Sequence, residues 1–185
     1  MKEHKKPKVS AFIAMTLDGY ISRENGDIDW LMEANKLVPE GEDGGYKAFM
    51  SSIDTIIMGR NTFEQVLTFG EWPYKDKKMF VMSSRDLQVP VELNHSVAHT
   101  TDSPQKLVKR LIENGSEGVY VDGGKTIQSF LSANLIDEIT VTIIPILLGS
   151  GKPLFGFLEK DILLELVESR QIPGGFVQLK YKVLL

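Results

Sequence analysis

Between residues 55 and 132 the chain alternates short apolar runs with amphipathic segments, and this alternation limits its fold more than any other feature. Residues 55–58 read as a buried strand, 61–67 as a helix, 78–82 as a strand and 97–99 as a brief strand. Ser103-Pro104 supplies an N-cap and a first-turn proline for the next helix, whose face carries Leu107, Val108, Leu111 and Ile112 and whose end is Asn114-Gly115. Residues 119–121 are then a strand and 126–132 a helix. Strands that alternate with helices pair in parallel, with crossover helices on both faces of a central sheet. After residue 138 the pattern changes: residues 138–144, 162–169 and 176–183 are strands with no helix between them. Pro173-Gly174-Gly175 joins the last two as an antiparallel hairpin at one edge. Upstream, residues 9–15 form the first strand, a loop with Asn25-Gly26 ends near Trp30, residues 31–43 are irregular, and 46–52 suit a short helix. The predicted fold class is three-layer α/β, with a mostly parallel sheet, helices on both faces and a C-terminal antiparallel hairpin.

The 185 residues suit one domain, 1–185, in which residues 1–7 read as a solvated, flexible tail. A formal charge of -4 argues against broad nucleic-acid binding, which normally needs a basic excess. With no cysteine, disulfides, thiolate metal sites and cysteine nucleophiles are excluded. The lysines near the N-terminus lead into an alternating strand rather than a signal-peptide core, and the longest apolar stretch, 139–148, is broken by threonines and Pro145. A cytoplasmic protein without a membrane segment is expected. His95 and His99 lie four residues apart in a poorly helical stretch without a carboxylate pattern, so no metal site is expected there.

Three strand ends carry candidate anion-binding residues. At Ile57-Met58-Gly59-Arg60-Asn61-Thr62-Phe63-Glu64 a strand passes through glycine into a helix whose first N–H groups lie beside a cation. At Val121-Asp122-Gly123-Gly124-Lys125-Thr126 two glycines open a helix where a pyrophosphate could approach the backbone without a Cβ in the way. Ser83-Ser84-Arg85 follows a third strand. In open α/β sheets ligands bind beyond the carboxyl ends of the strands, and all three loops fall there. The spacing is not that of a P-loop: the glycine needed five residues before Gly124 is Val119, and Gly118 is one residue out. It is not a Rossmann fingerprint either, because Gly149-Ser150-Gly151 is followed by Leu154 and lacks a strand-to-helix switch.

At these residues the chain resembles the dihydrofolate reductase fold, and within it the reductase domain of bifunctional riboflavin-biosynthesis proteins, the RibD C-terminal domain-like branch. Phe12 through Ile21, the Met-Gly-Arg-x-Thr element at Met58–Thr62, Met82-Ser83-Ser84-Arg85, Val121-Asp122-Gly123-Gly124, and Pro145-Ile146-Leu147-Leu148-Gly149-Ser150-Gly151 carry the resemblance, which spans nearly the whole chain. It implies NADPH as hydride donor. Gly59, Arg60 and Thr62 would hold phosphates, with Arg60 at the 2′-phosphate; Ser83, Ser84 and Arg85 would line the adenosine end. Gly123, Gly124, Lys125 and Thr126 would meet the pyrophosphate, and Ala14 and Ile21 the nicotinamide. Trp30 and Tyr46 would wall the substrate pocket, and Asp43 would be its acid, in the place of the folate-anchoring carboxylate of dihydrofolate reductases. Asp43, Thr142 or an ordered water would supply the proton.

The implied activity is NADPH-dependent hydride transfer to a C=N or C=O of a small heterocyclic substrate, as in the 5-amino-6-(5-phosphoribosylamino)uracil reductases. The resemblance also implies a homodimer, with the 139–148 region against the partner. Three alternatives remain: a nucleotide-binding regulatory module without turnover, a dihydrofolate reductase, and a structural homodimer protein.

Overall fold

The computed structural model describes residues 5–184. In chain order its elements are β1 (Lys8–Thr16), β2 (Tyr20–Ser22), α1 (Asp29–Asn35), α2 (Tyr46–Ser51), β3 (Thr55–Gly59), α3 (Arg60–Leu67) and β4 (Lys78–Met82). There follow β5 (Val97–Thr100), α4 (Pro104–Glu113), β6 (Gly118–Asp122), α5 (Gly124–Ser132), β7 (Glu138–Ile144), β8 (Lys152–Pro153), β9 (Leu163–Ile172) and β10 (Phe176–Leu184). One sheet of the described residues has the order β5-β4-β3-β6-β1-β7-β10-β9, and β2 pairs with β8 in a separate two-stranded ribbon. The pairs from β5 through β7 are parallel, while β10 is antiparallel to both β7 and β9. The expected mostly parallel sheet with a C-terminal hairpin is therefore present.

Both faces of the sheet are covered, which is why its central strands are continuous apolar runs rather than alternating ones. On one face Ile57, Val121, Val9 and Val141 pack against Leu107 and Leu111 of α4 and Ile127 and Phe130 of α5. On the other, Ile56, Met58, Met79 and Val81 pack against Phe63 and Val66 of α3, with Phe49 of α2 alongside. Helix α4 begins as its sequence prescribes: Ser103 Oγ accepts from the Lys106 N–H at 3.4 Å, and Pro104 fills the first turn.

Several expectations are corrected. Residues 29–35 are helical although the 31–43 stretch reads as irregular; no side chain caps α1, so it lacks a start signal. Residues 20–22 form a strand rather than part of a loop, because their partners lie 130 and 133 positions away and two- and three-residue strands have no readable period. The strand expected at 162–169 runs instead over Leu163–Ile172, drawn out by its ladder with β10. In the expected tail, Lys6 pairs with Asp137 at 2.8 Å and Pro7 is buried, while residues 1–4 lie outside the described residues. No helix among the described residues is long and apolar enough to cross a membrane.

Candidate active site at the carboxyl ends of the strands

Helix α3 leaves β3 toward one face of the sheet, and α5 leaves the adjacent strand β6 toward the other. The point between β3 and β6 is therefore a topological switch, the place at which open α/β sheets bind ligands beyond the strand ends. Met58 pairs with Asp122 across it, so Gly59 and Gly123 come side by side.

The two helix starts interlock through small residues. A Cβ on Gly59 would stand 3.0 Å from Thr126 Oγ1, and one on Gly123 would overlap Thr62 Oγ1. Each threonine thus lies against the glycine of the other helix. Gly123 also has φ 90, ψ 138, a conformation that only glycine adopts without strain. A Cβ on Gly124 would stand 2.7 Å from Ile21 Cδ1, so the β2–β8 ribbon covers this switch point closely. Asp18 holds that cover in place: its carboxylate accepts from the Leu148 N–H at 3.3 Å and the Gly149 N–H at 2.8 Å, and Thr16 Oγ1 donates to it. The Thr16 hydroxyl, with these backbone donors, holds the Asp18 carboxyl below its ordinary range.

The structure brings together Gly59, Arg60, Thr62, Gly123, Gly124, Lys125, Thr126 and Ile21. The Ser83 loop adjoins them, since Gly59 pairs with Met82. Arg85 N–H donates to Ser83 Oγ at 3.0 Å, and His99 Nε2 hydrogen-bonds the Ser83 carbonyl at 2.8 Å, giving that loop a fixed shape. Ser84, Arg85 and Lys125 are exposed. Arg60 donates through Nε to Glu64 Oε1 at 2.6 Å, which orients the guanidinium and leaves its terminal nitrogens available for an anion. The backbone N–H groups at two helix starts, a Cβ-free cradle and a half-buried arginine together fit a pyrophosphate-containing nucleotide.

The residues expected around a substrate divide. Tyr46, at the start of α2, is half-buried and meets the Phe12 ring edge-on at 5.6 Å. Ala14 is half-buried on β1 and pairs with Thr142 on β7. Trp30 is 4% exposed and packs in a cluster with Ile144, Ile172 and Phe176, against which Ala14 also lies, so it is a core residue rather than an open pocket wall. Its Nε1 is buried without a hydrogen-bond partner among the described residues. Asp43 is exposed and caps α2, accepting from the Gly45 N–H at 2.8 Å and the Lys47 N–H at 3.0 Å. The Lys47 and Gly45 donors hold its carboxyl below the ordinary range. Both oxygens are thus turned to the backbone, a geometry that does not favour the expected role of Asp43 as the acid of the site. Thr142 is also committed, because Gln178 Nε2 donates to its Oγ1 and to the Gly44 carbonyl, each at 3.0 Å.

A second carboxylate near these elements, not singled out by the sequence reading, is Asp122. Asp122 is half-buried, ends β6 on the same face as Tyr120, and has Tyr46, Tyr74 and Tyr120 near its carboxyl. Burial lifts its pKa to about 6, against the hydrogen bond that the Gly123 N–H donates at 2.8 Å. The Tyr120 hydroxyl also donates to the Phe12 carbonyl at 3.0 Å, a competing acceptor. Burial pushes all three phenols upward, so they are neutral near pH 7. A carboxyl that titrates near neutrality, next to a nucleotide cradle, is suited to proton transfer. Its signal in the sequence was a lone carboxylate between the apolar run 119–121 and Gly123-Gly124.

The family model described as RibD C-terminal domain matches residues 7–178. YwjB of Bacillus subtilis (strain 168), an uncharacterized protein, is 36% identical over 177 residues, covering 94% of this chain and 97% of its own. A putative riboflavin biosynthesis protein from Shewanella sp. PV-4 superposes with a TM-score of 0.88 at 38% identity, over 96% of this chain and 99% of that one. The dihydrofolate reductase from Enterococcus faecalis complexed with NADP(H) superposes with a TM-score of 0.63 at 17% identity, over 96% and 97% of the two chains. That last likeness is one of fold.

Proposed function

Because this chain belongs to the RibD C-terminal domain family, whose fold is that of reductases, we propose that it is an NADPH-dependent reductase of a small heterocyclic substrate. The observation that carries the proposal is the pair of helix starts at Gly59 and Gly123-Gly124, brought side by side and packed so closely that a Cβ on Gly123 would overlap Thr62. Gly59, Thr62, Gly123, Gly124 and Thr126 would hold the phosphates, Ser83 to Arg85 the adenosine end, and Ala14 and Ile21 the nicotinamide. When bound, NADPH supplies the hydride.

The chain's own residues do the rest. The Ile21 side of the β2–β8 ribbon closes over the cradle and excludes water. Asp122 holds a proton at its carboxyl oxygen below about pH 6 and delivers it to the reduced C=N or C=O, while the neutral phenols of Tyr46 and Tyr74 keep the carboxyl poorly solvated. A folate substrate is disfavoured: Asp43 faces its own helix, and Gln178 ties Thr142 to Gly44. We place the homodimer contact on β9, the outer strand, where Leu163, Leu164, Leu166 and Val167 are exposed.

Titration with NADPH and NADH, followed by nicotinamide fluorescence, tests the proposal; absence of NADPH binding at millimolar concentration sinks it. Turnover is then sought by loss of reduced-nicotinamide absorbance with oxidised pterins and the ribosylamino-pyrimidine. Binding without turnover on any of them favours the regulatory module. Replacing Arg60 by Ala is expected to weaken NADPH more than NADH by about 1.5–3 kcal/mol, the worth of a charge-assisted hydrogen bond to the 2′-phosphate. Equal losses for both dinucleotides would remove Arg60 from that role.

A further inference from the structure

Next to the Gly59 helix start, the loop of Ser83, Ser84 and Arg85 is held by bonds that leave one of its amides free. Ser83 Oγ donates to the Arg85 carbonyl at 2.8 Å and accepts from the Arg85 N–H at 3.0 Å, so the Ser83 hydroxyl is used within the loop. The Ser83 N–H donates to the Thr100 carbonyl at 3.1 Å, just past the ladder of β4 with β5. The Ser83 carbonyl is met by half-buried His99 of β5, whose Nε2 lies 2.8 Å away. A carbonyl oxygen only accepts, so Nε2 carries a hydrogen, and an uncharged ring here is the Nε2–H tautomer.

That bond fixes more than a contact between strands. A peptide is planar and trans, so the Ser84 N–H points opposite to the Ser83 carbonyl. The carbonyl is turned to His99 of β5, and the other neighbour of β4 is β3, whose Gly59 pairs with Met82. The Ser84 N–H is thereby directed away from β5, toward the side on which Gly59 and Arg60 stand. It donates to no group among the described residues, and Ser84 is exposed. Arg60, held through Nε by Glu64, keeps its terminal nitrogens for the same space. An oriented amide and a guanidinium on adjacent strand ends form a donor set for an anionic oxygen. Without the imidazole the peptide between Ser83 and Ser84 is free to turn, and the amide loses its direction.

We propose that His99 is a positioning residue of the nucleotide site: acting through the Ser83 carbonyl, it aims the Ser84 amide at the dinucleotide's 2′-phosphate. This rests on the reductase reading of the loop, and the experiment separates the two. NADPH, NADH and 2′,5′-ADP are titrated by calorimetry into the natural protein and into His99→Leu and His99→Gln. His99→Leu is expected to bind NADPH and 2′,5′-ADP about tenfold more weakly or worse, and NADH within about threefold of the natural protein. His99→Gln, whose amide still donates, should stay within about threefold for all three ligands. Equal losses for NADPH and NADH would mean that His99 only supports the fold, and no loss would mean that the bond is idle; either overturns the proposal. Imidazole nitrogen NMR on the natural protein gives a reading that needs no variant. The Nε2–H tautomer at His99 and a saturable shift of the Ser84 amide with 2′,5′-ADP are expected, and an Nδ1–H tautomer or an unmoved amide overturns the proposal. A natural protein that does not bind NADPH sinks the reductase reading together with this one, whereas NADPH binding that His99→Leu leaves unchanged sinks this one alone.

Discussion

Replacing Asp122 by Asn is expected to lower kcat by about 10²–10⁴-fold, the usual contribution of a positioned general acid, while leaving NADPH affinity within a few-fold. In the natural protein kcat should fall as pH rises above about 6, as the carboxyl loses its proton; in the variant this dependence should disappear. Stability of the natural protein should also fall as pH rises. The folded-state pKa of Asp122, about 6, is raised above the ordinary 3.8, so the folded chain retains a proton that the unfolded chain releases. The group's favourable contribution is complete below the unfolded value and is lost as pH rises through about 6. The Asn variant, which never ionises, should gain roughly 2–3 kcal/mol on the natural protein between pH 4 and pH 7. Urea unfolding at the two pH values measures this. An unchanged pH–rate profile, or a stability difference independent of pH, would remove Asp122 from the proposed role.

The second large effect is at Gly123. An alanine there would have to adopt φ 90 and would push its Cβ into Thr62 Oγ1. Backbone strain of about 1–3 kcal/mol adds to overpacking of about 1–3 kcal/mol, and relief by moving α3 would open the cradle. Gly123→Ala is therefore expected to lower unfolding free energy by several kcal/mol and to reduce NADPH affinity at least tenfold. Gly70→Ala is the control, because Gly70 has φ 91 in an exposed turn with nothing near its missing Cβ. It should show the strain alone, with NADPH binding preserved. If both variants bind NADPH like the natural protein, the contact between the helix starts is not part of the cofactor site.

How legible the chain was depends on where each signal lies. Helix α4 was readable at both ends, since Ser103, Pro104, Asn114 and Gly115 are local capping signals and the apolar face repeats at helical spacing. Strands β4 and β7 were found at their true limits because each is a short run rich in apolar and β-branched residues that ends at a local break. Helix α1 and the β2–β8 ribbon were not, as neither has a local signal and the ribbon is held by contacts distant in sequence. The same division runs through the site. Gly59, Arg60, Gly123 and Gly124 were marked by a change from apolar strand to glycine, whereas Asp43 and Asp122 are equally plain aspartates until their surroundings are known.

The sequence by itself determined the parallel sheet, its closing hairpin and the strand ends at which a nucleotide would bind, because periodicity and turn residues act over a few positions. Only the tertiary structure distinguishes the two carboxyls. Ionisation depends on what surrounds a carboxyl: Asp43 turns to the backbone N–H groups of its own helix and stays charged in water, while Asp122 is half-buried near tyrosines brought from α2, from the loop before β4 and from β6. Those three phenols are 28 and 46 positions apart along the chain (Tyr46 to Tyr74, 74 − 46; Tyr74 to Tyr120, 120 − 74), and nothing short of the fold puts them around one carboxyl.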